Sequence, residues 1–389
     1  MRYREPQPSC GFARRQCTRL RGSDRKGVSI SEVSLPPTGA TESGSASEFP
    51  DGPWILVVGM HRSGTSALTG MLGGLGLGLP QPDDQWDPLP SNPEHFESMS
   101  SVLFDDRLLE FLGGSWDGPP DLPAGWEHRL DVQAFDDEAR RAARRAFPDG
   151  GPVVWKDPRS CLLLPYWRRL IPETWAAVLM WRSPTEVARS LYQRDGLSWA
   201  VGTALWEHYN RAALGALEGT QVYVTSYDEL LVDPVGLCGA LGAWLDSLDA
   251  LAARRGTWDV EGGTAGVQEA LRHQRLEEDE PLLDSQRDLL ERLRQLHGPH
   301  QSLPAAGLAP PSPWGSAVLE EHRKAVVLSR EVEAREESRL VSEDIIEQLE
   351  ASAAQSYRTV QAMRTTTSWR LTQPFRSLSA GRHRRHGGR

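Results

Sequence analysis

A chain of 389 residues with 39% hydrophobic and 25% charged residues has the composition of a soluble globular protein, with room for one large or two small domains. Its net charge of −10 argues against a whole-molecule nucleic-acid binder, so no nucleic-acid partner is expected. Cys10, Cys17, Cys161 and Cys238 are too few and too scattered for a disulfide framework or a zinc site. They read as free thiols of a reducing, cytoplasmic compartment. No run approaches ~18 consecutive apolar residues, so no membrane-spanning helix is expected.

The first 30 positions are rich in arginine but lack the apolar core of a secretory signal, and residues 31–50 turn to Ser, Thr, Gly and Pro. Residues 1–50 therefore read as a disordered leader. The organising stretch follows. Trp54 to Val58 is an unbroken apolar run that reads as a buried strand, then comes the polar loop His61-Arg62-Ser63-Gly64-Thr65-Ser66, then Ala67, Leu68, Met71 and Leu72 at helical spacing. A strand, an anion-sized turn and a helix start form a phosphate cradle: Gly64 lets the backbone approach, Ser63, Thr65 and Ser66 offer hydroxyls, and first-turn N–H groups lie at the positive end of the helix dipole. From Gly59 the pattern is G-x4-G-T-S, so Thr65 replaces the lysine of a nucleotide triphosphatase loop and the positive charge sits earlier, at Arg62.

Further along, Ser100 to Leu112 is amphipathic, with its N-cap among Ser98 to Ser101 and with Glu94, His95, Phe96 and Glu97 just before it. Residues 134–147 read as a surface helix. Val153-Val154-Trp155 is a short buried strand running into Lys156-Asp157-Pro158-Arg159, and Leu162 to Leu170 is helical. Trp175 to Trp181 is a third strand, ending at Arg182 and followed by a helix from Pro184 through Tyr192. A long helix over 199–217, a fourth strand Val222 to Thr225, the turn Ser226 to Glu229 and a helix from Pro234 to Leu245 complete the pattern. Alternating strands and helices with charged turns predict an α/β fold, a mostly parallel sheet flanked by helices, with ligand held at the strands' C-terminal ends. The domain then runs over 51–297, with 298–315 as a Pro-rich linker. Residues 316–364 read as one long helix whose Ile346, Leu349, Ala353, Val360 and Met363 repeat at heptad spacing, compatible with a coiled coil and a homodimer.

Three of these turns place positive charge on one sheet edge: Arg62 with the cradle, Lys156 with Arg159, and Arg182 with Ser190 about two turns into its helix. Two separated phosphate-binding elements suit a nucleotide phosphorylated at both ends of its ribose better than a triphosphate. Here the sequence resembles the PAPS-dependent sulfotransferases, with their P-loop-NTPase-like fold. Arg62-Ser63-Gly64-Thr65-Ser66 is similar to that family's 5'-phosphosulfate loop, and Arg182 with Ser190 in RSPTEVARS is similar to the Arg and Ser of its 3'-phosphate site. Tyr227-Asp228-Glu229-Leu230 resembles a segment whose tyrosine approaches the nucleoside, and Lys156-Asp157-Pro158 resembles the K-D-P turn of the tyrosine-sulfating branch. The resemblance spans Trp54 to Leu245. It implies 3'-phosphoadenosine-5'-phosphosulfate (PAPS) as co-substrate, no metal, and a glycan or small-molecule acceptor. The glycine-rich C-terminal loop of the cytosolic branch is absent.

Sulfuryl transfer needs charge stabilisation at the departing oxygen, for which Arg62 and Lys156 are the expected side chains. It also needs a base, and Glu97, His95 and Glu94 are the candidates, Glu97 first. A helix-start acid interacting with the dipole is the bland alternative for Glu97. For Arg159 an ion pair with Asp157 is favoured over a catalytic role. After Glu350 the chain has no acidic residue, and Trp369, Leu371, Phe375 and Leu378 interleave with arginines over 365–389. This tail is similar to segments ending bacterial enzymes of surface polysaccharides and is expected to touch the inner face of an anionic membrane. Competing readings are a P-loop kinase for a small molecule, which Thr65 disfavours, and a non-enzymatic coiled-coil scaffold.

Overall fold

The computed structural model describes residues 49–85, 96–265 and 281–367. The leader through residue 48, the segment holding Glu94 and His95, residues 266–280 and the basic aromatic tail from residue 368 lie outside the described residues. In chain order the elements are β1 Trp54–Val58, α1 Thr65–Gly74, α2 Met99–Phe111, α3 Leu130–Gln133, α4 Asp136–Ala146, β2 Val153–Lys156, α5 Ser160–Trp167 and β3 Trp175–Trp181. Then come α6 Pro184–Asp195, α7 Trp199–Leu217, β4 Val222–Ser226, α8 Tyr227–Val232, α9 Pro234–Ser247, α10 Val260–Ala265, α11 Asp284–Gln295, β5 Gly298–His300 and α12 Pro313–Thr365.

The sheet order is β2-β1-β3-β4-β5, parallel through the first four strands, with β5 antiparallel on the edge. The apolar runs form strands because both faces are covered. Along β1, Trp54, Leu56 and Val58 enter one core with Trp155, Leu179 and helices α2, α5, α6 and α7, while Ile55 and Val57 enter the other with Val178, Met180, α1 and α9. Such strands show no polar alternation. The expected mostly parallel α/β sheet flanked by helices is the observed one. Register aligns the strand ends: Val57 is beside Lys156, Val58 beside Leu179, and Trp181 beside Ser226. The turns after β1, β2, β3 and β4 therefore open on one edge, where parallel sheets hold ligands.

Two stretches differ from the sequence expectation. Gly298–His300, inside the span read as linker, is strand β5, and the chain after it stays bound to the body. Leu303 is 1% exposed, its N–H donates to the Thr220 carbonyl at 2.8 Å, and Arg211 Nη1 donates to the Ala309 carbonyl at 2.7 Å. Proline at an edge strand forfeits no ladder bond that the core needs, which is how a Pro-rich sequence can still pair. The long helix begins at Pro313, earlier than expected. Val318 and Leu319 pack on the body and Arg330 reaches Glu110 at 3.2 Å, but every residue from Val327 to Thr367 is exposed.

Cys161 and Cys238 are buried free thiols, and no described helix is long and apolar enough to cross a membrane.

Candidate functional site

The loop after β1 is bent by residues that side chains normally resist. Gly64, the N-cap of α1, has φ 89°, and a Cβ there would lie 2.2 Å from Tyr227 Cδ2, so glycine is required by both backbone and space. Arg62 has φ 68° and Phe96 has φ 51°, the two non-glycine residues of positive φ among those described. Each is next to a proposed functional atom or carries one, and strained backbone of this kind persists where the surroundings over-determine it. Arg182 Nη1 donates to the Arg62 carbonyl at 3.3 Å and so holds that conformation from outside the loop. No side chain caps the start of α1, whose first-turn N–H groups have no intrahelical acceptor and face a cavity of about 420 Å³.

Two polar groups flank this helix start. In the first, Arg62 Nε donates to Ser190 Oγ at 2.8 Å. Arg182 lies beside it, bonded through Nε to Glu186 at 2.8 Å and with its guanidinium carbon 4.4 Å from the centre of the Tyr227 ring. Trp206 Nε1 fixes the Arg182 carbonyl at 2.9 Å. Burial, then the neighbouring Arg194 and Arg182 charges, lower the Arg62 pKa from its ordinary value. Burial raises that of the Tyr227 phenol, which therefore keeps its proton.

In the second group, Lys156, 1% exposed, donates to Glu97 Oε1 at 2.6 Å and to Ser66 Oγ at 3.1 Å. Lys156 thus joins the end of β2, the start of α1 and the segment before α2. Glu97 is held in turn. Ser98 caps α2 by accepting from the Ser101 N–H at 3.0 Å, and buried Asp84 accepts from Ser98 Oγ and from the Ser100 N–H at 3.2 Å. The Phe96 ring lies against Gly70 of α1, where a Cβ would be 3.1 Å from it.

The expected site residues Arg62, Ser63, Gly64, Thr65, Ser66, Glu97, Lys156, Arg182, Ser190 and Tyr227 all lie at this edge, and the cavity is lined by Arg62, Thr65, Glu97, Arg182 and Tyr227 among others. The sequence expectation sets Arg62 and Lys156 together at the departing oxygen; in the structure Arg62 bonds to Ser190 and stands with Arg182, while Lys156 pairs with Glu97.

Arg159 has the ion pairs that the sequence favours. It bonds Asp157 at 3.1 Å and clamps Asp106 at 2.6 and 3.0 Å. Burial lowers its pKa, but the Asp157 and Asp106 carboxylates outweigh that and the net shift is upward. Beneath it Asp105 accepts from Trp167 Nε1 at 2.9 Å, and burial, then Asp157, push its carboxyl well above the ordinary value. The Oδ2 atoms of Asp105 and Asp157 both lack a donor, a need that one proton shared between them meets.

Four lining residues escaped the sequence reading: His61, Trp116, Arg194 and Asp195. The His61 ring, tilted 50° to that of Trp116, has its centre 4.7 Å from it, and Arg194 lies over the Trp116 ring at 5.2 Å while bonding Asp195 at 2.8 Å. Burial, then the charges of Arg159, Arg194, Lys156 and Arg62, lower the His61 pKa well below the usual imidazole value, so the ring is neutral. Its Nε2, like Ser63 Oγ, is buried without a partner. Histidine before Arg62 was the one available signal. A larger cavity, about 620 Å³ between α7 and the start of α12, shares no lining residue with this site and has mainly apolar walls. Among the described residues no group of three or more His, Cys, Asp or Glu could hold a metal ion.

No protein-family model matches the chain, and no curated protein does. Among solved structures it is similar to a sulfotransferase domain from the curacin biosynthetic pathway, at 16% identity and a TM-score of 0.37, covering 64% of this chain and 99% of that one. It is also similar to a sulfotransferase domain from the Synechococcus PCC 7002 olefin synthase, at 17% identity and a TM-score of 0.32, covering 71% and 95% of the two chains.

Proposed function

We propose that the chain is a sulfotransferase that moves the sulfuryl group of 3'-phosphoadenosine-5'-phosphosulfate to an acceptor hydroxyl, of a carbohydrate or glycoconjugate. The observation that carries the reading is the presence of two separate cationic groups at one helix start: Arg62 and Arg182 with Ser190, and Lys156 with Ser66 and Glu97. A ligand with one phosphate at the 3' position and a phosphosulfate at the 5' position uses both groups. A nucleoside triphosphate needs a loop lysine and a metal ion, and Thr65 stands where that lysine would be.

The residues divide the work. Arg182 and Ser190 hold the 3' phosphate, the Tyr227 ring approaches the nucleoside, and Gly64 to Ser66 with the α1 N–H groups cradle the 5' end. Lys156 stabilises the negative charge that gathers on the oxygen leaving with the nucleotide. Arg62, tied to Ser190, bridges the two ends. Glu97 accepts the proton of the acceptor hydroxyl as its oxygen bonds to sulfur and the sulfur's bond to the phosphate oxygen breaks; adenosine 3',5'-bisphosphate departs. Titration calorimetry tests the reading: adenosine 3',5'-bisphosphate binds without metal and more tightly than ATP with magnesium. The reverse preference overturns it in favour of a kinase.

A further inference from the structure

Lys156, Ser66 and Glu97 meet at one point, but regular structure holds only two of them there. Lys156 ends β2 and Ser66 lies in the first turn of α1, whereas Glu97 belongs to no helix or strand and stands just before α2. Its main chain is therefore set by its neighbours' side chains. On one side the Phe96 ring rests on Gly70 of α1, with Phe96 at φ 51°. On the other side is Asp84, 14 positions before Ser98.

The Asp84 carboxylate accepts from three donors of one short segment: the Ser98 hydroxyl, the Ser100 hydroxyl and the Ser100 N–H, the last at 3.2 Å. Asp84 has a footing of its own. It closes the 3-10 turn Pro82–Asp84, and the Gln81 N–H before that turn donates to the Ala146 carbonyl at the end of α4 at 2.9 Å. Gln85, which follows, bridges to Ser98 in antiparallel fashion.

A carboxylate with 0% exposure is costly unless its oxygens are met. Among the described residues its one ion pair is with Arg145, at 3.4 Å and with a side chain 54% exposed, too distant and too wet to offset that cost. The compensation comes from the two hydroxyls, the N–H and the positive end of α2, all at residues 98–100. Asp84 and the segment after Glu97 thus hold each other: if either shifts, buried polar atoms lose their partners.

We infer that Asp84 is a positioning residue, which fixes residues 98–100 and thereby places the Glu97 carboxylate against Lys156. Its consequence for turnover rests on the reading of Glu97 as proton acceptor; the placement does not.

The placement is read at Lys156. The chain has three lysines, Lys26, Lys156 and Lys324, so isotope labelling of lysine nitrogen gives at most three ammonium resonances, and Lys156→Met identifies one by its loss. Glu97→Gln moves the Lys156 resonance, and Asp84→Ala moves it in the same direction. In the double variant Asp84→Ala adds nothing to Glu97→Gln, because both remove one contact, a pattern that a general loss of stability does not produce. Asp84→Asn, whose amide oxygen still accepts from Ser100, leaves the resonance nearer the parent, and Arg145→Ala leaves it unchanged. If Asp84→Ala does not fold, Ser98→Ala cuts the same link from its other end and moves the resonance likewise. Single-turnover consumption of labelled 3'-phosphoadenosine-5'-phosphosulfate falls roughly ten- to 100-fold in Asp84→Ala, while adenosine 3',5'-bisphosphate affinity stays within about twofold. A moved resonance with unchanged consumption upholds the placement and overturns Glu97 as proton acceptor. A Lys156 resonance that Asp84→Ala leaves in place, or a shift that adds in full to that of Glu97→Gln, overturns the inference.

Discussion

Arg62 and Ser190, 128 positions apart, meet at 2.8 Å and join the loop after β1 to the helix after β3. The Ser190 hydroxyl accepts from a guanidinium whose backbone is held at φ 68° by Arg182. Ser190 therefore sets where the Arg62 charge points in the absence of ligand. Ser190→Ala removes a hydrogen bond to a charged group, and adenosine 3',5'-bisphosphate affinity measured by calorimetry falls roughly ten- to 100-fold. Arg62→Ala lowers it further and cuts turnover by roughly 10² to 10³. Unchanged affinity in Ser190→Ala removes Ser190 from the nucleotide site.

The Lys156–Glu97 contact at 2.6 Å predicts a different split between binding and turnover. Glu97→Gln keeps the shape and a carbonyl for Lys156 but loses the proton acceptor, so turnover falls by roughly 10² to 10⁴ while nucleotide affinity is nearly unchanged. Lys156→Met loses roughly 10² to 10³ in turnover. Single-turnover rates with labelled sulfuryl donor check both. Full activity in Glu97→Gln passes the role of base to His95.

Gly64 is where backbone and packing requirements coincide. In Gly64→Ala the new methyl meets the Tyr227 ring at 2.2 Å and a φ of 89° is strained for alanine. Tyr227 moves and takes with it the ring under Arg182, so nucleotide affinity drops at least about tenfold, the equivalent of about 1.4 kcal/mol. The double variant Gly64→Ala, Tyr227→Ala separates clash from strain. If the clash dominates, it binds no worse than Tyr227→Ala alone; if it binds much worse, backbone strain is the cause.

The four parallel strands were legible because each is an apolar run ending in charge, a pattern local to the strand. β5 was not, because Gly-Pro-His carries no strand signal and pairs only because β4 offers a free edge. The turns that supply Arg62, Lys156 and Arg182 could be placed from strand ends, but their contacts could not. Ser190 finds Arg62 across 128 positions, and Lys156 finds Glu97 across 59, through register and helix packing. Trp116 and Arg194 were invisible for the same reason: each is an ordinary loop or helix residue until the fold stacks one on the other.

The buried carboxyls under Arg159 give a prediction for stability. Burial, then Asp157, raise the Asp105 pKa in the folded chain, so the native state keeps a proton that the unfolded chain releases above about pH 4. The native state then binds more protons than the unfolded one, and the Asp105 contribution, fully present below that pH, is lost as pH rises through its folded value. Asp105→Asn copies the protonated form: its carbonyl still accepts from Trp167 Nε1 and its amide can donate to Asp157. The variant melts at least about 2 °C above the parent at pH 9 and converges with it near pH 5. Thermal unfolding at the two pH values decides the matter. A variant that loses stability equally at both shows that Asp105 is ionised in the fold and held by Arg159 instead.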